Sequence, residues 1–144
     1  VYDLKNTSIN KLSFADLEYS LYRYTRFFHT SGITLALSPE LRATAIEMIK
    51  RFKAQGAIIS FDVNFRGNLW TGAEAKECIE SILPYVDIFF CSEDTARLTF
   101  LKECAAKSIM KSFTEEYPIS IVASTQRIVH SAKRRTFGTI INRA

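Results

Sequence analysis

The sequence predicts an α/β fold in which a parallel β-sheet is flanked by helices. Two observations carry this prediction. Apolar strand candidates recur at nearly even intervals, over residues 27–30, 57–65, 86–91 and 119–123, and helical patterns separate them. The intervals of roughly thirty residues fit strand–helix–strand units rather than a solenoid repeat.

The helix between the first two strands has the clearest boundaries. Ser38 is expected to cap it, with Pro39 at its first position and Gly56 just past its end. One face of this helix is apolar and spaced for burial against a sheet. That face consists of Leu41, Ala45, Met48, Ile49 and Phe52.

The other helices carry similar signals. Capping boxes are expected to start two of them, one at Ser13 that runs as far as Tyr24 and one at Thr71. Ser92 is expected to cap another, and a last helix is expected over residues 105–116.

The two ends of the chain depart from this alternation. Residues 1–9 are interpreted as a short extended segment, and residues 127–142, around Gly138, predict an antiparallel hairpin at a sheet edge. The first residue is Val1 rather than Met, and one sheet face would lack cover in 144 residues. We therefore expect a piece of a longer protein.

Composition narrows the class of protein. With 144 residues, 47% of them apolar, the chain is long enough for one globular domain with a core. No run has the length of a membrane span, no signal peptide opens the chain, and three cysteines, Cys78, Cys91 and Cys104, lie in apolar stretches. A cytoplasmic protein with reduced thiols and without membrane contact is expected.

Net charge is +4, and much of the excess lies in the cluster of residues 133–135. We interpret this cluster as part of a solvated hairpin, because no interleaving of aromatic and basic residues supports nucleic-acid binding.

Three polar residues two apart follow the second strand. In an extended chain, Asp62, Asn64 and Arg66 project to one side, whereas Phe61, Val63 and Phe65 project to the other. Open α/β sheets bind ligands beyond the carboxyl ends of their strands. An Arg fork beside an amide suits a phosphate or carboxylate, so we predict an anion site here. Asp62 is expected to support Arg66 rather than to bind the ligand.

Two strings carry a family resemblance. Ser-Gly-Ile-Thr stands at positions 31–34 and Asp-x-Asn-x-Arg-x-x-Leu-Trp at positions 62–70, with a matching strand over residues 83–90. Together they resemble the ribokinase-like (PfkB) carbohydrate kinases over nearly the whole chain. The resemblance implies a ribokinase-like sheet, with residues 1–9 as the end of a lid strand and residues 10–144 as the central part of the α/β kinase domain.

The resemblance also implies a function. The resembling enzymes transfer the γ-phosphate of ATP, with Mg²⁺, to a hydroxyl of a keto-sugar acid, and 2-keto-3-deoxygluconate is the substrate that the resemblance implies first. It implies that Tyr2 and Arg66 contact the substrate. The nucleotide contacts that it implies are Asn64, Arg66, Ser92, Ser124 and Thr125. Because lid strands of this family pair between subunits, residues 1–9 are a candidate homo-oligomer contact.

Several positions depart from the family pattern. Leu4 stands where an Arg for the substrate carboxylate is usual, which favours a fructokinase or another PfkB sugar kinase as the alternative. The family's Asn-x-x-Glu motif reads Ser92-Glu93-Asp94-Thr95, and Ser124-Thr125 replaces a Gly pair. No Gly-Ala-Gly-Asp segment, which carries the family's catalytic base, occurs in the 144 residues. We assign no catalytic and no metal-binding residue, and expect the fragment to be inactive.

Other residues have simpler interpretations. Trp70 is expected to pack the loop after the second strand, and His29 is expected to be structural. Thr30 and Ser31 end a strand on the presumed ligand side, where a hydroxyl serves equally to bind a ligand or to cap a turn. A non-catalytic binding module of the receiver or flavodoxin type is the remaining alternative, although the expected paired acids and phosphate loop are absent from the sequence.

Overall fold

The computed structural model describes residues 7–102, 105–131 and 134–144. The strands are β1 (Phe27–Ser31), β2 (Ile58–Asp62), β3 (Ile88–Phe90), β4 (Ile121–Val129) and β5 (Arg135–Arg143). The α-helices are α1 (Ser20–Tyr24), α2 (Gly32–Leu37), α3 (Pro39–Ala54), α4 (Gly72–Ile82), α5 (Glu93–Phe100) and α6 (Ala106–Glu116). Short 3₁₀ turns cover Ser8–Lys11, Phe14–Asp16 and Leu83–Tyr85.

The five strands form one sheet in the order β1-β2-β3-β4-β5. Strands β1 to β4 run parallel, and β5 pairs antiparallel with β4. The predicted parallel sheet with flanking helices and an edge hairpin is therefore confirmed. The hairpin is longer than expected, because β4 itself extends to Val129 and the chain turns between β4 and β5, whereas Gly138 lies inside β5.

Capping explains where the main helices begin. The Ser38 hydroxyl accepts a hydrogen bond from the Leu41 N–H at 3.1 Å, and Thr71 does the same for the Glu74 N–H at 3.2 Å. The Glu74 carboxylate accepts in return from the Thr71 N–H at 2.8 Å, which completes the predicted capping box. Gly56, with φ of 83°, ends the turn after α3, as its position predicted.

The core lies between the sheet and the helices on one of its faces. The residues of that face include Ile59, Phe61, Phe89 and Val122, each 0% exposed. Because every parallel strand is added on the same side of its predecessor, right-handed crossovers bring α3 to α6 to the same face. Packing of these helices on one face explains why the predicted apolar stripe of α3 is buried or half-buried.

The opposite face of the sheet has little cover. The strand register places one row of alternating residues on it. We call this surface the bare face; its exposed apolar residues are Phe27, Ile58, Phe90, Val129, Phe137 and Ile141. As far as residues 7–102, 105–131 and 134–144 are concerned, this agrees with the expectation that one sheet face would lack cover.

The N-terminal part differs from its prediction. The helix expected to start at Ser13 is instead a 3₁₀ turn followed by the single-turn helix α1, although the Asp16 carboxylate does accept from the Ser13 N–H at 2.9 Å. Ser8 and Ile9 lie in a 3₁₀ turn rather than in an extended segment, and residues 1–6 lie outside the described part of the chain. Helix α2 was not predicted. In the aromatic cluster at residues 19–28, Tyr22 belongs to the core.

Candidate functional site

A cavity of about 270 Å³ opens where β2 and β3 end, beside residues 123 and 125 of the longer strand β4. All three strands are parallel, so their carboxyl ends meet at one edge of the sheet. The lining comes from the last residues of β2 and β3, from the segments that follow these two strands, from the first turn of α5 and from β4. It consists of Asp62, Asn64, Phe65, Arg66, Phe90, Cys91, Ser92, Thr95, Ala123 and Thr125. The cavity therefore lies where the sequence predicted an anion site.

The predicted trio of Asp62, Asn64 and Arg66 does line one cavity, but not by simple alternation. Strand β2 ends at Asp62, and Asn64 takes a left-handed conformation with φ of 37°. This residue breaks the two-residue period, so that Phe65, which the sequence predicted to face away, also lines the cavity. Val63 faces the core as predicted and is 0% exposed.

Asp62 has a different partner from the one predicted. Its Oδ1 accepts a hydrogen bond from the Asn64 N–H at 3.0 Å. No ion pair between Asp62 and Arg66 is found in the described part of the chain. The Arg66 side chain is exposed, and its Nη1 donates to the Phe65 carbonyl at 3.3 Å. Most of the guanidinium donors therefore remain available to a ligand.

The segment after β3 supplies hydroxyls. Ser92 caps α5 by accepting from the Thr95 N–H at 3.2 Å, and its own O–H donates to Thr95 Oγ1 at 2.8 Å. Because the Ser92 proton is used in this way, the Thr95 hydroxyl is the one free to donate into the cavity. Thr95 was not a predicted site residue. Its signal was the Ser-x-x-Thr spacing, which places both hydroxyls in the first turn of a helix.

Strand β4 contributes one of its two predicted residues. Thr125 is exposed and lines the cavity. Ser124 is 1% exposed and points to the helix-covered face, because neighbouring residues of a strand project to opposite sides. In the part of the chain that the structure describes, its hydroxyl has no hydrogen-bond partner. Tyr2 and Leu4 lie outside the described residues.

Two residues that line the cavity beside Asp62, namely Phe90 and Ala123, were not predicted from the sequence. Asp62, Phe90 and Ala123 are register partners across β2, β3 and β4, so they form one row on the bare face. Aligning the predicted strand ends would have identified this row. Cys91 also lines the cavity, and burial raises the pKa of its thiol from 9.0 to about 12. It is therefore a protonated, weakly nucleophilic group at neutral pH.

Two residues near the site have structural roles, as predicted. Trp70 is 5% exposed, and the Arg42 guanidinium lies 5.5 Å from its ring centroid. His29 lies on the bare face, where its Nδ1 is 2.9 Å from Ser60 Oγ. Ser31 precedes α2 without a side-chain cap hydrogen bond, and it does not line the cavity.

Two features are absent from residues 7–102, 105–131 and 134–144. Within them, no group of three His, Cys, Asp or Glu side chains is placed to hold a metal ion. Nor is any helix in these ranges both long and apolar enough to cross a membrane.

Comparison with known proteins finds that the chain is similar in sequence to kinases. The chain is 27% identical over 126 residues to 2-dehydro-3-deoxygalactonokinase of Haloferax volcanii, covering 88% of this chain and 40% of that protein. It is 36% identical over 80 residues to fructokinase-2 of Solanum lycopersicum, covering 55% of this chain and 24% of that protein. No protein-family model matches the sequence.

A solved structure matches a larger share of this chain than the two sequence relatives do. The crystal structure of 2-dehydro-3-deoxygluconokinase from Thermotoga maritima superposes with a TM-score of 0.93 at 26% identity, covering 99% of this chain and 46% of that one. The chain thus spans under half the length of the relatives that it matches.

Proposed function

Because the relatives and structural neighbours of this chain are PfkB-family carbohydrate kinases, including a 2-dehydro-3-deoxygluconokinase, we propose that it is the central part of an ATP-dependent sugar kinase. The observation that carries the proposal is the cavity where β2 and β3 end beside β4. There the Asn64 amide, the Arg66 guanidinium and the Thr95 and Thr125 hydroxyls line one space. These groups are hydrogen-bond donors, and a nucleotide phosphate is a dense set of acceptors.

The chemistry of phosphoryl transfer fits this set of groups. Charge shifts over the phosphoryl oxygens as the bond to the donor breaks, and fixed positive charge and amide donors stabilise it. Arg66 supplies a positive charge. Asn64 and Arg66 are therefore proposed as nucleotide contacts. Ser92 would act through Thr95, to which its hydroxyl donates. Ser124, which is buried, would need a rearrangement of β4 to reach a nucleotide.

The described residues do not form a magnesium site of their own. Asp62 is the one carboxylate in the cavity lining, and one of its oxygens is used by the Asn64 N–H. In the proposed kinase, Mg²⁺ would arrive bound to the phosphates of ATP, as is usual for this ion. The Gly-Ala-Gly-Asp segment that carries the family's catalytic base does not occur in the 144 residues, so we propose that these residues alone do not turn over a sugar.

For the acceptor we propose 2-keto-3-deoxygluconate, with Arg66 and Tyr2 as its contacts and the cytoplasm as the compartment. The Thermotoga maritima match, which covers nearly the whole chain, favours this acceptor. Fructose is the second candidate. It is favoured by the fructokinase relatives and by Leu4, which cannot pair with a carboxylate. A homo-oligomer contact through residues 1–9 stays a prediction.

Titration of the 144-residue chain with ATP tests the nucleotide site. Removing the Arg66 charge should weaken binding by about tenfold or more, because a hydrogen bond to a charged group contributes about 1.5–3 kcal/mol. Arg26→Ala is the matched control, since it removes the same charge just before β1, at the opposite end of the sheet. Equal losses in Arg66→Ala and Arg26→Ala would show that only net charge matters.

A substrate panel on the complete kinase tests the acceptor. Phosphorylation of 2-keto-3-deoxygluconate in preference to fructose is expected. Turnover of fructose alone would replace the first candidate with the second.

A further inference from the structure

The loop that carries Asn64, Phe65 and Arg66 is held in place at Val63, the residue that precedes it. The Val63 N–H still donates to the Phe90 carbonyl at 3.0 Å, so sheet pairing continues one residue past β2. A Cβ on Gly32 would lie only 2.1 Å from the Val63 carbonyl oxygen, which shows how closely α2 approaches this carbonyl. The Val63 backbone is therefore held on both sides.

The Asp62 side chain holds the N–H group of the peptide bond that joins Val63 to Asn64. Its Oδ1 accepts from the Asn64 N–H at 3.0 Å, two residues ahead, which is the geometry of an Asx turn. Asn64 takes φ of 37° in this turn, a left-handed conformation that Asn tolerates better than most residues. The turn ends the strand alternation and places three consecutive residues, 64 to 66, on the cavity.

We infer that Asp62 is a positioning residue: its carboxylate holds the Asn64 N–H and thereby keeps Asn64 and Arg66 facing the cavity. The inference rests on the proposed function where it concerns nucleotide binding, and on the geometry alone where it concerns the turn. The alternative is that Asp62 acts through its negative charge, on a metal ion or on the ligand itself.

Two substitutions separate these roles. Asp62→Asn removes the charge but keeps a carbonyl oxygen at the same position, so it preserves an acceptor for the Asn64 N–H. Asp62→Glu keeps the charge but moves the oxygens one carbon further out, so the turn is lost. A positioning role predicts that the Asn variant behaves like the wild type and that the Glu variant does not.

Amide hydrogen exchange of the 144-residue chain, resolved by NMR, reads the turn directly. In Asp62→Glu, the Asn64 amide should exchange about tenfold faster or more, and in Asp62→Asn within about threefold of the wild-type rate. The Val63 amide serves as the internal control, because its bond to the Phe90 carbonyl does not involve Asp62. Its protection in both variants shows that the sheet is folded.

ATP titration of the same three proteins reads the consequence. The affinity of Asp62→Glu for ATP should fall toward that of Arg66→Ala. The affinity of Asp62→Asn for ATP should be close to that of the wild type. The inference is overturned if the Asn64 amide exchanges alike in all three proteins, or if the Asn variant loses affinity as the Glu variant does. It is also overturned if the turn is lost without loss of affinity. If the wild type binds no ATP, the proposed function fails, while the exchange rates still decide whether Asp62 holds the turn.

Discussion

Gly32→Ala should destabilise the fold more than the same change at Gly72 or Gly138. The added Cβ would lie 2.1 Å from the Val63 carbonyl oxygen and 3.1 Å from its carbon. Both are backbone atoms of the segment that leaves β2, so no side-chain rotation can relieve the contact. Overpacking of this kind costs about 1–3 kcal/mol, and a backbone contact belongs at the upper end. A lower unfolded-state entropy offsets about 0.4–1 kcal/mol, which leaves about 2 kcal/mol.

This loss is measurable by thermal unfolding. With an unfolding entropy of about 2.1 cal/mol/K per residue, a loss of about 2 kcal/mol in this chain lowers Tm by about 7 °C. Gly138→Ala is the matched control, because no atom lies within 4 Å of its added Cβ. Gly72→Ala should fall between the two, since its Cβ would lie 2.7 Å from the Leu98 carbonyl oxygen. If the Tm of Gly32→Ala lies within about 2 °C of the Tm of Gly138→Ala, the proposed close packing of α2 on Val63 is refuted.

Three further predictions concern single side chains. Ser92→Ala should cost about 1 kcal/mol of unfolding free energy in urea titrations, whereas Ser92→Asn, which keeps a cap, should cost less. Burial raises the pKa of the Cys91 thiol from 9.0 to about 12. As the pH rises, this thiol therefore loses its proton in the unfolded state before it does so in the folded state. Stability should therefore fall by up to about 1.4 kcal/mol per pH unit above pH 9, and Cys91→Ala should show a smaller slope over pH 8–10.5. Asp87 pairs with Lys53 and accepts from the Ile59 N–H at 2.8 Å, so Asp87→Ala should cost about 1–2 kcal/mol and Asp87→Asn about half of that, by urea unfolding.

Local signals predicted most of the architecture. Ser38, Thr71 and Ser92 are caps whose bonds span three residues, so the information lies within one turn of chain. The strands were identified because buried parallel strands are short apolar runs between helices. The same reasoning gave the parallel order and the sheet edge at which the cavity opens.

The remaining differences arise from contacts between distant segments. The hydrogen bond between Asp62 and the Asn64 N–H is local, but the approach of Gly32 to Val63 beside it joins segments that are far apart in sequence, and it was not predicted. The inward orientation of Ser124 was missed because the pairing that sets its face involves β3 and β5. The helix expected at residue 13 is broken because Leu17 takes an extended conformation that propensity does not anticipate.

The strand order has a consequence for how the chain folds. Each strand pairs with the one made just before it, so every pairing step closes a loop of only a few tens of residues, and the entropic cost of closure grows slowly with loop length. These five strands can therefore pair one after another in the order in which they are synthesised, without waiting for a later one of the five to insert between earlier ones.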